Sequence, residues 1–450
     1  MRKVTILGGG ATGMVLACLL AEAGHKVSIV EGSQRLGGLL STFKTAGDPL
    51  EYYYHHFFTH DAEIHWLLDH LGLSQKLFYR PSSVGFFRQG RIFDFTTALD
   101  LLRFSPLGLI DKARFAATSL YLSRQRTWRD YEDISCLDWF YRFAGKSVTE
   151  TVWKPMLEVK FGSYADQVPL AWMVGRLSQR MQSRKSGREV LGYVSGSLQV
   201  LVDALHRRLL DQGVQIECGR AVRSLRVEEN RIKGLCLEDG QELAADEVIA
   251  TLPSPVIAGL LPPGLERYGE ELRQVEYFGA ICLVLRMRRP LSRIYWLNVA
   301  DPGFPYGGVI EHTNFVPPER YGGEHIAYLS RYFESSHALA TESPEKIAAD
   351  WIGTIPRINP DFDVTQLIGW DLFRTRTAAT VCPLEFSKRV HRFFSPIGGF
   401  YVVNMTHIYP DERSVNNSIR IAAEALSALE IPHRVPRGRS LAGQIGFERS

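Results

Sequence analysis

The run Gly8-Gly9-Gly10-Ala11-Thr12-Gly13 constrains this chain more than any other feature, because it sits between a β-rich segment, Arg2 to Leu7, and a segment of helical composition, Ala11 to Ala23. A second apolar strand, Lys26 to Val30, ends at the acidic Glu31. Strand, glycine turn, helix and acid-tipped strand form the βαβ unit that holds a dinucleotide. Gly8 makes the tight turn, Gly10 lets the backbone reach a pyrophosphate, and Gly13 lets helix and strand pack. The amides opening the helix, at Ala11, Thr12 and Gly13, face the phosphates. Glu31 accepts from the ribose hydroxyls. The N-terminus also mimics a secretory leader, with Met1-Arg2-Lys3 ahead of an uncharged stretch from Val4 to Ala21. Its four glycines would each cost a helix about 1 kcal/mol, but they fall where a nucleotide turn needs them. The expected location is therefore the cytoplasm.

Composition removes other classes. Lys plus Arg number 52 against 49 Asp plus Glu, a net charge of +3 that gives nucleic-acid binding no support. The six cysteines form no CxxC pair and read as reduced interior residues. This argues against a disulfide scaffold or zinc ribbon, and no metal is expected. No other stretch approaches 18 clean apolar residues, so no membrane span is expected.

Along the chain, 61–190 reads as mainly helical, aromatic and basic, and 198–211 as an amphipathic helix. β-type segments follow at 214–218, 221–227, 231–237 and 246–252, antiparallel-looking strands at 277–299 and 324–334, a helix at 344–354, a strand at 399–403 and a helix from about 415 to 429. The expected fold is α/β, opening on a Rossmann-type unit. A flexible tail is expected over 432–450.

The βαβ unit alone fits NAD or FAD. Just beyond it, Arg35-Leu36-Gly37-Gly38-Leu39-Leu40-Ser41-Thr42 resembles the RxGGRxx[ST] stretch of the flavin amine oxidase superfamily. That resemblance implies FAD, with Gly37 and Gly38 running beside the diphosphate and ribityl arm, flanked by Arg35 and Thr42. Leu39 stands where the family usually has Arg. Asp246 to Pro253 is similar to the family's return strand, and Val222 would then supply backbone bonds to adenine. Gly399 to Asn404 resembles the final strand, with Asn404 in place of the usual Gly-Asp. The helix starting near Val415-Asn416-Asn417 would aim its amides at the flavin pyrimidine oxygens. Together these likenesses imply an α/β fold with a discontinuous Rossmann-type FAD-binding domain (1–60, 190–255 and 390–431) and an inserted α+β substrate domain (61–189 and 256–389). Tyr53 to Phe58 and Trp153 to Gly162 are similar to segments of the protoporphyrinogen oxidase-like proteins and UDP-galactopyranose mutases. The mutases' diphosphate-binding Arg is replaced here by Met405 or Thr406.

Three residues are candidates for the chemistry. His56 either donates to the flavin edge or acts as a base at the substrate carbon, or else is a hydrogen-bonded core histidine; His55 faces the other way and is structural. Lys160 would stabilise anionic reduced flavin or be a surface lysine, and Tyr409 would line the pocket or be a loop aromatic. Arg176, Arg180 and Arg184 form either an anion-binding segment or a solvated basic face. Residues 99–122 could touch a membrane surface, although packing within the insert is the commoner use of such helices. The resulting expectation is an FAD-dependent oxidoreductase moving a hydride between a small, possibly anionic, organic substrate and flavin N5, with oxygen or a quinone as electron acceptor. The alternative is a non-redox flavin-dependent isomerase of a nucleotide sugar.

Overall fold

The computed structural model describes residues 1–185 and 187–438. Strand β1 (Lys3–Leu7), helix α1 (Ala11–Glu22) and strand β2 (Lys26–Glu31) form the opening unit. α1 is apolar on every side because it is enclosed, with Gly13 to Leu20 all buried. Its covering helices are α2 (Gln199–Asp211) and α3 (Val415–Ala428), which share one apolar core with it. Strands β3 (Gln215–Cys218), β4 (Glu247–Ala250) and β5 (Phe400–Val402) complete a parallel sheet in the order β3-β2-β1-β4-β5. Covered on both faces, the sheet reads as near-continuous apolar runs. The chain leaves it twice and returns twice, which makes it a Rossmann-like sheet assembled from distant segments.

Among the described residues a second, seven-stranded sheet runs in the order 367–380, 277–287, 325–333, 308–311, 296–299, 84–88, 91–94. It is antiparallel except where Trp296 pairs with Val84 in parallel. That joint ties sequence before residue 190 to sequence after 256. A helical layer that includes Lys154–Phe161 and Leu170–Gln182 packs beside it around Trp153, Leu157, Phe161 and Met173.

The mainly helical expectation for 61–190 holds, but the stretch also carries strands that the sequence reading did not include. Strands occupy Leu77–Pro81, Val84–Arg88, Arg91–Asp94 and Arg188–Val194. Gln89 and Gly90 both have positive φ, 54° and 69°, the two-residue hairpin turn whose twist matches its strands. The long strand Leu367–Thr380 is also absent from the sequence reading. Residues 432–438 form no helix or strand, yet Val435 is buried and Gly438 N–H donates to Glu63 Oε1 at 2.8 Å, so they are anchored rather than loose. The rest of the expected tail, 439–450, lies outside the described residues. Packing accounts for part of 99–122: Phe104, Leu107 and Leu122 are buried, whereas Leu102, Leu109 and Ile110 are 60–77% exposed. No helix of the described residues is long and apolar enough to cross a membrane. The six cysteines are free thiols.

Candidate active site

The glycine turn is shaped by contacts. Gly8 has φ +102°, and a Cβ at Gly13 would lie 2.0 Å from Gly8 O, so helix and strand approach as only glycine permits. At Gly10 a Cβ would meet nothing within 4 Å, which leaves open space at the mouth of α1. α1 has no side-chain cap, so the first-turn amides at Ala11, Thr12 and Gly13 are left for an external acceptor. Gly37, with φ +124°, donates its N–H to Gly9 O at 2.9 Å, and a Cβ on Gly38 would come 3.2 Å from Gly10 Cα. The second glycine loop thus lies against the first. Glu31, at the tip of β2, accepts from Gly9 N–H at 2.6 Å and Ser33 N–H at 2.7 Å, which fixes its carboxylate beside the turn. Arg220 N–H donates to Glu31 O at 3.0 Å, bringing the strand that starts at Val222 alongside. Arg35 is exposed, Leu39 packs half-buried on an aromatic cluster, and Thr42 Oγ1 donates to Gln199 Oε1 at 2.5 Å. An open glycine cradle, uncapped amides and a carboxylate fixed at the end of the second strand fit FAD. When bound, it supplies a hydride acceptor.

Two residues expected at the cofactor, Asn404 and Asn416, have their side chains engaged inside the protein, while the expectation at Asn416 concerned the backbone amides that open α3. Asn404 Nδ2 donates to Leu252 O at 2.9 Å and Ser254 Oγ at 3.0 Å, and its Oδ1 accepts from Thr406 N–H at 3.1 Å. Asn416 Oδ1 accepts from Ile64 N–H at 2.9 Å while its Nδ2 donates to Glu63 at 2.9 Å.

Ahead of α3 opens a cavity of about 180 Å³. Its walls bring together His56 from the loop after Glu51, Lys160 from the helix Lys154–Phe161, and Arg176 and Arg180, one turn apart on the helix Leu170–Gln182. Lys160 and Arg176 both donate to Glu412, a residue absent from the sequence reading. Burial would raise the Glu412 carboxyl, but the Arg176 and Lys160 charges overcome it and hold the group far below the carboxylate range. The Trp172 ring lies 4.5 Å from Lys160 Nζ and 5.4 Å from Arg176 Cζ, a cation–π seat for both. Arg180 faces Glu189 at 3.5 Å. Arg413, also unanticipated, lines the cavity with no hydrogen bond or ion pair among the described residues. Its charge, after burial, helps push His55 down to about 3, and the His55 ring is held by Tyr53 O at 2.5 Å. Burial pushes His56 down to about 4, so it is neutral, with the edges of Phe58, Tyr295 and Trp296 around it.

Two expected site residues lie elsewhere. Arg184 donates to the carbonyls of Thr96 and Gly187, which fixes it to a strand edge away from the cavity. Tyr409 is 3% exposed and packs against Trp128 and Phe386. It lines a separate chamber of about 80 Å³ that shares Lys160, Glu412 and Arg413 with the main cavity. The available signal for the missed pair was position: Glu412-Arg413 directly precedes the Ser414 cap of α3. Cys18, Glu22 and His70 also converge within 4.8 Å. There Arg208 donates to Glu22 at 2.9 Å, so that carboxylate is already paired with a cation.

A Rossmann-like sheet with a glycine cradle, leading to a buried charged cavity, defines the class of FAD-binding enzymes. Residues 11–372 match the family model described as flavin containing amine oxidoreductase, and the chain belongs to this family, with FAD as its cofactor. The zeta-carotene desaturase of Synechocystis sp. is 24% identical over 310 residues, covering 62% of this chain and 63% of that protein. The coproporphyrinogen III oxidase of Mycobacterium tuberculosis is 26% identical over 305 residues, covering 61% and 64%. The chain thus matches just under two thirds of the length of these curated relatives. A solved structure of reduced UDP-galactopyranose mutase superposes with TM-score 0.75 at 14% identity, covering 99% of this chain and 98% of that one, a likeness of fold.

Proposed function

We propose that this protein is a cytoplasmic FAD-dependent oxidoreductase that passes a hydride from a small anionic organic substrate to flavin N5, with oxygen or a quinone as the final acceptor. The carrying observation is the cavity's charge. Lys160, Arg176, Arg180, Arg331 and Arg413 face the carboxylates of Glu412, Glu189 and Asp61, leaving a surplus of two positive charges in a partly buried, aromatic-walled space. Buried charge without a partner is costly, so the site favours a ligand that brings anions. This argues for a carboxylate- or phosphate-bearing substrate and against a hydrocarbon. Arg176 and Arg180 orient it, and the aromatic walls exclude water. The surface leucines near Leu102 and Leu109 are not needed for this reading.

One observation supports a second reading, a non-redox isomerase of a nucleotide sugar: Arg413 supplies a free guanidinium suited to a diphosphate. Anaerobic stopped-flow mixing of the oxidised protein with coproporphyrinogen III, zeta-carotene and UDP-galactopyranose separates the readings. Flavin bleaching by the carboxylate compound, with the carotene inert, is expected. Bleaching by none, together with sugar-ring isomerisation by the dithionite-reduced protein, would replace the first reading with the second.

A further inference from the structure

Asp61 stands at the N-cap position of the helix Ala62–His70, yet its carboxylate does not cap that helix. The Ile64 amide is taken by Asn416, and Asp61 Oδ2 accepts instead from Phe58 N–H at 2.8 Å. Its other oxygen, Oδ1, has no hydrogen bond among the described residues, while the side chain is 7% exposed and lines the cavity. The remaining groups there are poorly placed to take a proton. Glu412 is held ionised by Arg176 and Lys160, and the Lys160 ammonium already donates to Glu412. His56 is a weak base, pushed down to about 4.

We propose that Asp61 is the general base of this site, taking onto Oδ1 the proton that the substrate releases as it is oxidised. This rests on the oxidoreductase reading. The substrate C–H bond breaks and its electron pair leaves with the hydride to FAD, the two-electron oxidant. The adjacent N–H or O–H bond breaks, its electron pair becomes the new double bond, and its proton forms the O–H bond of the Asp61 carboxylic acid. Burial pushes the Asp61 carboxyl up to about 7, helped by Glu63 and Asp411 and opposed by the Phe58 amide. A base with that affinity is poised for proton transfer at neutral pH. The charged and titratable groups around it are Glu63 on its own helix, Asp411 and Glu412 on the turn before α3, Tyr79 on the strand Leu77–Pro81, and His56 and Arg180 across the cavity.

The test compares holoprotein with Asp61→Asn, which keeps an acceptor for Phe58 N–H. Infrared titration of the wild type should show a carboxylic-acid C=O band that disappears as pH rises through about 7 and is missing from D61N. No such band, or a midpoint below about 5, overturns the proposal without reference to any substrate. With coproporphyrinogen III as reductant, the wild-type rate of flavin reduction should rise with pH through about 7. D61N, at unchanged FAD content, should be about 100-fold slower or more, with a flat profile. A D61N rate and profile equal to wild type overturns the assignment. Failure of coproporphyrinogen III and the other panel compounds to reduce wild-type flavin counts against the oxidoreductase reading, whereas a missing infrared band counts against Asp61 alone.

Discussion

Replacing Gly10 by Ala should separate the holding of FAD from the folding of the chain. Gly10 has φ −74° and ψ −178°, angles any residue adopts, and an added Cβ meets nothing within 4 Å. Folding of the apoprotein therefore loses no contact. Reduced freedom of the unfolded chain is worth about 0.4–1 kcal/mol for a compatible Gly-to-Ala change, so apoprotein stability should stay level or rise by up to that much. The methyl group fills the space over the uncapped amides of α1. Losing one charge-assisted hydrogen bond to a phosphate costs about 1.5–3 kcal/mol, and at 1.4 kcal/mol per decade FAD should bind roughly 10- to 150-fold more weakly. Gly13→Ala is the contrast: its Cβ would lie 2.0 Å from Gly8 O, an overlap that backbone must move to relieve. Such overpacking costs about 1–3 kcal/mol in the apoprotein itself. Calorimetric melting of apoprotein and quenching of FAD fluorescence measure the two effects. G10A protein that binds FAD with wild-type affinity, or apo-G10A that is less stable by more than about 1 kcal/mol, would refute the reasoning that this open space seats the diphosphate.

Other outcomes follow from the cavity. The Asp61 carboxyl is raised from 3.8 to about 7, so its contribution to stability is full below pH 4 and lost as pH rises through 7. That loss, up to about 4 kcal/mol, should be missing from D61N, whose melting temperature relative to wild type should improve between pH 5 and pH 8; a constant difference would contradict it. Glu412→Gln leaves Lys160 and Arg176 without their carboxylate and should cost about 1–3 kcal/mol, below the fully buried figure because the groups are 14–25% exposed. Inorganic pyrophosphate should recover part of that loss in a thermal-shift assay. Arg413→Ala should leave melting unchanged or raised, since it removes an unpaired cation, while raising KM for the anionic substrate about tenfold or more with a smaller effect on kcat.

How much of this could be read from sequence depended on whether a residue's role is fixed by backbone geometry or by side-chain partners. The βαβ unit was legible because Gly8, Gly10 and Gly13 are demanded by local angles and close approaches, and those demands recur at fixed spacing. Gly37 and Gly38 were legible for the same reason: one has φ +124° and the other abuts Gly10. For Asn404 and Asn416 sequence position spoke only of nearness to the cofactor, while the folded chain alone shows their side-chain amides engaged by Leu252, Ser254, Glu63 and Ile64, partners up to 353 residues away. The basic run at 176–188 divided the same way. Arg176 and Arg180 share a helical face and reach the cavity, but the helix ends at Gln182 and Arg184 passes into a strand, where its guanidinium meets backbone carbonyls.

Glu412, Arg413 and Asp61 were invisible for a complementary reason. None belongs to a periodic pattern, and each acquires its character from what it does or does not meet. Glu412 is bound by two cations, Arg413 by none among the described residues, and Asp61 sits at a helix start whose amide another side chain has taken. A charged residue just before a helix is ordinarily a cap or a dipole partner. In this chain Ser414 and Asn416 perform the capping at the two helix starts beside the cavity, through Asn417 N–H and Ile64 N–H. Because neutral side chains carry that structural work, Arg413 and Asp61 keep unengaged polar atoms facing the same space. Their opposite charges suit opposite tasks there, one holding an anion and the other removing a proton.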